Sequence, residues 1–293
     1  MKLYKVTLQL RSPLVTPLKG DTIWGHVVWG IANHEGDNEV QSFLYECKTD
    51  EPAFIVSSAF PHGMLCRPIP PVQKREKNMT PDKYAQIKKN KKSIYINSSL
   101  YTNVNAGEND KRETKVFDVI DVTHNTIDRF SNTVIDAGLY AVSEQWAKQD
   151  LFDIYVVSSY ESGRIKQLCE WAFENGFGAD ASTGKGNISI IGNPEIITPK
   201  HDSRTYMALA PFVLPQGTSI TDLRADIFVR TGKIGGAFVS YMQPWKKTVI
   251  LYNEGAVFKS EKKLQFIGKL LENIHSDTRI CQSGFAPVIP ISV

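Results

Sequence analysis

The sequence predicts an α+β protein built as two ferredoxin-like lobes, with a β-hairpin region inserted in the first. Three observations predict it. KLYKVTLQL (2–10) alternates in polarity as a strand with one wetter face does. DTIWGHVVWGIAN (21–33) repeats apolar residues at helical spacing and leads to the buried-strand run AFIVSSAF (53–60). The same strand, helix, strand order returns at LFDIYVVSS (151–159), SGRIKQLCEWAFENG (162–176) and NISIIGNPEII (187–197), which completes a split βαβ plan.

Each element has its local reason. A turn-rich stretch with two prolines separates the first strand from the first helix, where Asp21 is placed to cap. Gly25 and Gly30 lower helix propensity, as expected where another backbone approaches closely. A short second helix is expected near 38–46. Residues 61–150 read as an insertion. HGMLCRPIPP is proline-rich, and 74–92 carries eight basic residues against Glu76 and Asp82. VFDVIDVTHNTIDRF (116–130) and NTVIDAGLYAVSEQW (132–146) then read as two strands around a polar turn. The first lobe is therefore 1–200. In the second, 201–293, TYMALAPFVLP, ADIFVRTGKIGG, KTVILYNEGAVF and FAPVIPISV are strand-like, and KKLQFIGKLLENI (262–274) is expected to be a helix.

Composition bounds the function. The 293 residues are 42% hydrophobic and 22% charged, an ordinary globular balance with material for one large or two smaller domains. A net charge of +3 says little, because clustering rather than the total attracts phosphate. The four cysteines are scattered without a CxxC pair, so neither a disulfide framework nor a zinc site is expected, and a reducing cytoplasm is. The chain opens without a signal-peptide pattern, and no apolar run reaches the roughly 20 residues of a membrane helix. The six histidines form no HExxH or similar pair, and the acidic residues resolve into no two-metal pattern; no cofactor or metal is expected.

Three segments carry the chemistry. GFGADASTGKG (176–186) imitates two nucleotide motifs and satisfies neither. A helix rather than a strand precedes its G-x-G-x-x-A, and as a P-loop it has Ala179 for the first glycine and Gly186 for the magnesium-binding hydroxyl. What remains is a loop in which Gly184 and Gly186 flank Lys185 and free backbone N–H groups, with the Ser182 and Thr183 hydroxyls beside them, to lie along a phosphate backbone. VRTGKIGGAF (229–238) sets Arg230 and Lys233 among Gly232, Gly235 and Gly236, which suggests one RNA path across both lobes. THNTIDRF (123–130) combines His124, Asn125 and Arg129, types that meet phosphates and base edges. Each segment alone also reads as a solvated turn or hairpin. His26 offers a general acid for metal-independent RNA cleavage, but no second base is marked near it, so packing or RNA binding is the expectation.

Taken in order, these motifs resemble one family, the fourth subunit of type III-A (Csm) CRISPR effector complexes. DTIWGHVVWGIAN is similar to that family's S-D-T-L-F-G helix start. THNTIDRF, with Gly138-Leu139-Tyr140 after it, resembles H-N-x-I-D-R, and GFGADASTGKG, RTGKIGG and EGAVF resemble its glycine-rich signatures. The resemblance implies two RNA-recognition-like lobes of the RAMP type and an inserted thumb-like β-hairpin. It implies a non-catalytic subunit that holds the 5′ handle of the guide RNA (crRNA), with target RNA near the thumb. Its implied partners are the large polymerase/cyclase-like subunit and a Csm backbone subunit. It points to Lys19, Asp21, Thr22, His26, His124, Asn125, Arg129, residues 182–186, Arg230, Gly232, Lys233, Gly235 and Gly236 as RNA-binding. The rival readings are a guide-processing ribonuclease using His26 or His124, and a protein scaffold whose basic loops meet protein.

Overall fold

In a computed structural model of the chain, residues 1–71, 80, 85, 92–102, 112–113, 115–235 and 243–292 are described. Most of the lysine-rich run 74–92 and Gly236 lie outside them. Strand β1 (Lys2–Leu10) sits at the centre of an antiparallel sheet with β9 (Leu151–Ser158) on one side and β10 (Ile188–Ile196) on the other. The edge beyond β9 is filled by β2 (Phe54–Val56) and β3 (Phe60–Pro61). The order β10-β1-β9-β2 is the split βαβ order read from the sequence.

AFIVSSAF, expected as one strand, breaks into β2 and β3 because its two serines are used for bonding. Ser57 Oγ accepts the Tyr155 N–H at 2.8 Å, and Ser58 Oγ accepts the Gly20 N–H at 3.2 Å. Helix α1 (Gly20–Glu35) buries Ile23, Trp24, Val27 and Ile31, each worth roughly 1.5–3 kcal/mol once removed from water. Lys19 rather than Asp21 occupies the N-cap position, without a side-chain cap; Asp21 lies in the first turn and is used elsewhere. Helix α2 is Asp37–Glu46, and α3 (Ser162–Phe173) packs beside α1 over the sheet.

Short strands β4 (Met64–Cys66), β5 (Tyr95–Asn97) and β6 (Arg112–Glu113) pair in the inserted region. Beyond them β7 (Phe117–Ile127) and β8 (Val134–Ala147) form the expected hairpin, paired from Phe117↔Ala147 to Asn125↔Leu139, with an irregularity before Ile127↔Val134. Its base is fixed by reciprocal Leu14–Gln145 backbone bonds (3.0 and 2.7 Å) and by Phe117 stacked on Phe152. Its tip carries a fully exposed Phe130.

The remaining strands build a second antiparallel sheet in the order β12 (Ile220–Arg224), β15 (Val257–Ser260), β11 (Thr205–Ala208), β17 (Gln282–Pro290), β16 (Phe266–Leu271). A separate ribbon pairs β13 (Ile227–Arg230) with β14 (Val249–Tyr252). The helix expected at 262–274 is strand β16. Its apolar residues suit either period, and pairing with β17 decides, with Phe266 edge-on to Phe285 and Gly268 (φ +109°) pressed against the Gly284 carbonyl. Beyond Phe173 the described residues contain no α-helix, so the second sheet departs from the ferredoxin-like lobe that the sequence suggested. Phe285, Ile289 and Ile291 join the same buried core as β1 and α1, while Tyr206, Phe212, Phe258 and Val288 form a smaller cluster of their own. No helix among the described residues is long and apolar enough to cross a membrane.

Candidate nucleic-acid interface

Helix α1 organises the candidate site. At about 100° per residue, Asp21 and His26 point about 140° apart, and Gly25, Trp29 and Thr22 fall between them on the face turned away from the core. Each margin of this strip is held by one of the glycine-rich stretches.

At the first margin, the Arg230 guanidinium donates from Nε and Nη2 to both oxygens of buried Asp21, at 2.8 and 2.9 Å. Gln282 Nε2 donates to the same carboxylate at 3.2 Å. Arg230 also lies over the Phe228 ring, 4.9 Å from its centroid. Further along, Gly235 meets Trp29 so closely that a Cβ there would stand 2.8 Å from the indole nitrogen. Gly232 accepts the Lys246 N–H at 2.8 Å, and Lys233 is exposed beside Trp245. Lys19, at the start of the helix, is ion-paired with Glu254, bonds Asn253 Oδ1 at 3.2 Å and sits over the same Phe228 ring.

At the other margin, His26 Nε2 accepts the Gly178 N–H at 3.2 Å, and its ring lies 4.7 Å from that of Phe177. Burial pushes the imidazole pKa down to about 4, against a weaker opposing hydrogen bond at the Ala172 backbone. In this arrangement Nε2 is an acceptor and the neutral ring carries its proton on Nδ1.

The loop that His26 holds differs from its expected form. Its amides are consumed internally: Thr183 N–H and Lys185 N–H donate to the Asp180 carbonyl, Gly184 N–H to Ala181, and Gly186 N–H to Pro13. They are not free for phosphate. The Thr183 hydroxyl donates to the Asp180 carbonyl at 2.8 Å, whereas Ser182 is exposed. Lys185 turns away into an ion pair with Glu144 of β8, a fully buried carboxylate whose other oxygen accepts the Trp146 indole N–H at 3.1 Å. The lysine read as a phosphate contact is therefore the link between the glycine loop and the hairpin.

The hairpin residues lie apart from α1. His124 is opposite Tyr140 in the ladder and stacked on it (centroids 5.5 Å, planes 19° apart). Asn125 and Arg129 are exposed toward the tip. Three of the expected RNA-facing cations (Lys19, Lys185, Arg230) are thus neutralised by carboxylates. Lys233 and Arg129 are the two of the five that have no ion-pair partner among the described residues. Sequence reasoning missed these three pairings: Asp21 was read as a helix cap and RNA contact, Glu254 only as the start of EGAVF, and Glu144 not at all, because only chain folding brings each to its cation. It also missed the His62–Asp153 pair (2.9 Å), in which fully buried Asp153 also accepts from the Thr7 hydroxyl and the Gly63 N–H. No cluster of metal-ligating side chains occurs among the described residues.

No protein-family model matches the chain, and no curated protein matches it in sequence. Solved structures do. A chain of the Csm1–Csm4 cassette in complex with pppApA superposes with a TM-score of 0.60 at 14% identity, covering 99% of this chain and 98% of that one. The same cassette in complex with cA4 gives 0.61 at 14% identity, with the same coverage. The Csm3–Csm4 subcomplex of the type III-A CRISPR-Cas interference complex gives 0.57 at 10% identity over 100% of both chains. This chain therefore has the mixed helix-and-sheet fold of these Csm4-containing structures, matched over 99–100% of its length.

Proposed function

We propose that the chain is a non-catalytic, RNA-holding subunit of a cytoplasmic type III CRISPR effector complex. It grips the 5′ handle of the guide RNA and links the large polymerase-like subunit to the backbone subunits. The observation that carries this reading is the α1 strip: two glycine-rich stretches, one from each half of the chain, are fastened to opposite margins of a single helix face. The contacts Asp21–Arg230 and His26–Gly178 do the fastening, and Gly235 seats on Trp29 between them. A strand of unpaired nucleotides fits such a floor, with hydroxyls from Thr22 and Ser182 and free charge from Lys233, while Arg129 adds charge on the hairpin apart from it. The β7–β8 hairpin, joined to the loop by Lys185–Glu144, extends the path toward target RNA. The partners follow from the fold likeness, since the matched structures are of Csm4 with Csm1 and with Csm3.

The test is ultraviolet crosslinking of the assembled complex, purified through this chain. Adducts between guide RNA and residues 22–29, 230–235 and the hairpin are expected. Complexes that retain both protein partners but yield no RNA adduct on this chain refute the reading and favour a scaffold. Specific cleavage of repeat RNA by the isolated chain favours a nuclease.

A further inference from the structure

The ribbon that carries Arg230 does not stop at its strands. Thr231 and Thr248 join hydroxyls at 2.9 Å, Lys246 N–H donates to the Gly232 carbonyl at 2.8 Å, Lys233 bridges Trp245, and Ile234 N–H donates to the Pro244 carbonyl at 2.8 Å. The extension is pinned on both flanks. Lys246 Nζ donates to the Cys281 carbonyl at 2.9 Å, and Gly235 abuts Trp29 of α1. On this braced backbone Trp245 is 50% exposed, with the Lys233 ammonium 5.0 Å from its ring centroid.

The bracing on both flanks fixes where this half-exposed indole is presented, so a planar ligand meets it with little further ordering. The cation sits over the ring while half of the residue's surface stays open to solvent, and Lys233 has no carboxylate partner among the described residues. An aromatic ring beside an unneutralised cation, at the margin of a groove read as holding unpaired nucleotides, has the chemistry of a base-stacking platform. We propose that Trp245, with Lys233, stacks one unpaired nucleobase of the RNA held over α1. This rests on the RNA-holding reading and adds a residue to it.

The probe is a set of single-stranded oligoribonucleotides of handle length, each with 2-aminopurine at one position, titrated into the full-length chain in its complex assembled without guide RNA. Quenching at one position is expected. In Trp245→Ala that quench disappears and affinity falls about tenfold, within the 1–3 kcal/mol that one stacked base contributes. Trp245→Phe restores most of both, and Lys233→Ala weakens binding without abolishing the quench. Unchanged melting of Trp245→Ala shows that the fold is intact. If the wild type binds the oligonucleotides but Trp245→Ala binds and quenches equally, the platform is refuted and the groove reading survives. If Trp245→Ala instead releases a protein partner with the quench unaltered, the indole is a protein contact and the proposal fails. If the wild type binds none of them, both readings fall.

Discussion

Arg230 holds both carboxylate oxygens of Asp21 across 209 residues of chain, in a pair that is almost wholly buried on the acidic side. The two were read from separate motifs as RNA contacts. In the folded chain they contact each other and fasten the β13–β14 ribbon to α1. Removing one partner strands a charge in a poorly solvated place. Arg230→Ala is expected to cost about 3–5 kcal/mol, and the double variant with Asp21→Ala less than the sum of the two single changes. Urea midpoints of the four proteins check it; strict additivity would show that the pair is not coupled.

Lys185 and Glu144 make a different prediction. Glu144→Gln keeps the shape and removes the charge that Lys185 follows into the interior. Faster amide exchange is expected along 117–147 and in the 178–186 loop, with little change in the second sheet. Exchange raised in the loop alone would mean that the hairpin is held independently, through Leu14 and Phe117.

Gly25 separates stability from function. A Cβ there meets no atom within 4 Å, and the residue lies within a helix. Gly25→Ala is expected to stabilise the fold by about 0.5–1 kcal/mol through helix propensity. A bulkier Gly25→Leu, projecting over the proposed floor, should weaken guide retention several-fold without lowering the melting temperature. Full retention in the leucine variant counts against RNA lying on α1.

In the glycine loop, two neighbouring residues respond unequally. Gly186 (φ +64°) offers a Cβ a position 2.1 Å from the Phe177 carbonyl oxygen, whereas Gly184 (φ +89°) offers open space. Gly184→Ala carries only the left-handed backbone strain, about 1–2 kcal/mol. Gly186→Ala adds a collision with backbone and should cost clearly more. Thermal melts of the two variants compare them directly.

His62 and His26 titrate with opposite sign. The hydrogen bond to Asp153 raises the His62 pKa above 6.5, so its stabilising contribution is complete below that value and is lost as the pH rises through the higher folded-state pKa. The cost of His62→Gln should therefore be larger near pH 5.5 than near pH 9. His26, pushed down to about 4, is neutral when folded; the unfolded chain takes up a proton first, so its contribution fades as the pH falls from 6.5 toward 4. Urea titrations across pH separate the two, and a His62→Gln penalty that grows with pH would reverse the assignment.

The first sheet was legible because its strands and helices announce themselves by period. β1, α1, β9, α3 and β10 stand where alternation and 3.6-residue spacing put them, and the hairpin strands flank their polar turn. Residues 262–274 were misread because a short apolar run suits a helix and a strand equally, and the β17 partner that decides is distant in sequence. Of the site, the glycine stretches and α1 were found as segments, but Trp245 was passed over because it sits in no motif.

The sequence by itself determined the order of elements in the first sheet, the placement of glycine stretches, hairpin and first helix, and the absence of a complete nucleotide motif. Only the tertiary structure decided which charges remain available. Ion pairing depends on which carboxylate arrives within about 3 Å, and Glu144, Glu254 and Asp21 reach Lys185, Lys19 and Arg230 across separations that no local pattern records. The same folding fixed where the loop amides point, since Gly186 can donate to Pro13 only once β1 and β10 lie side by side.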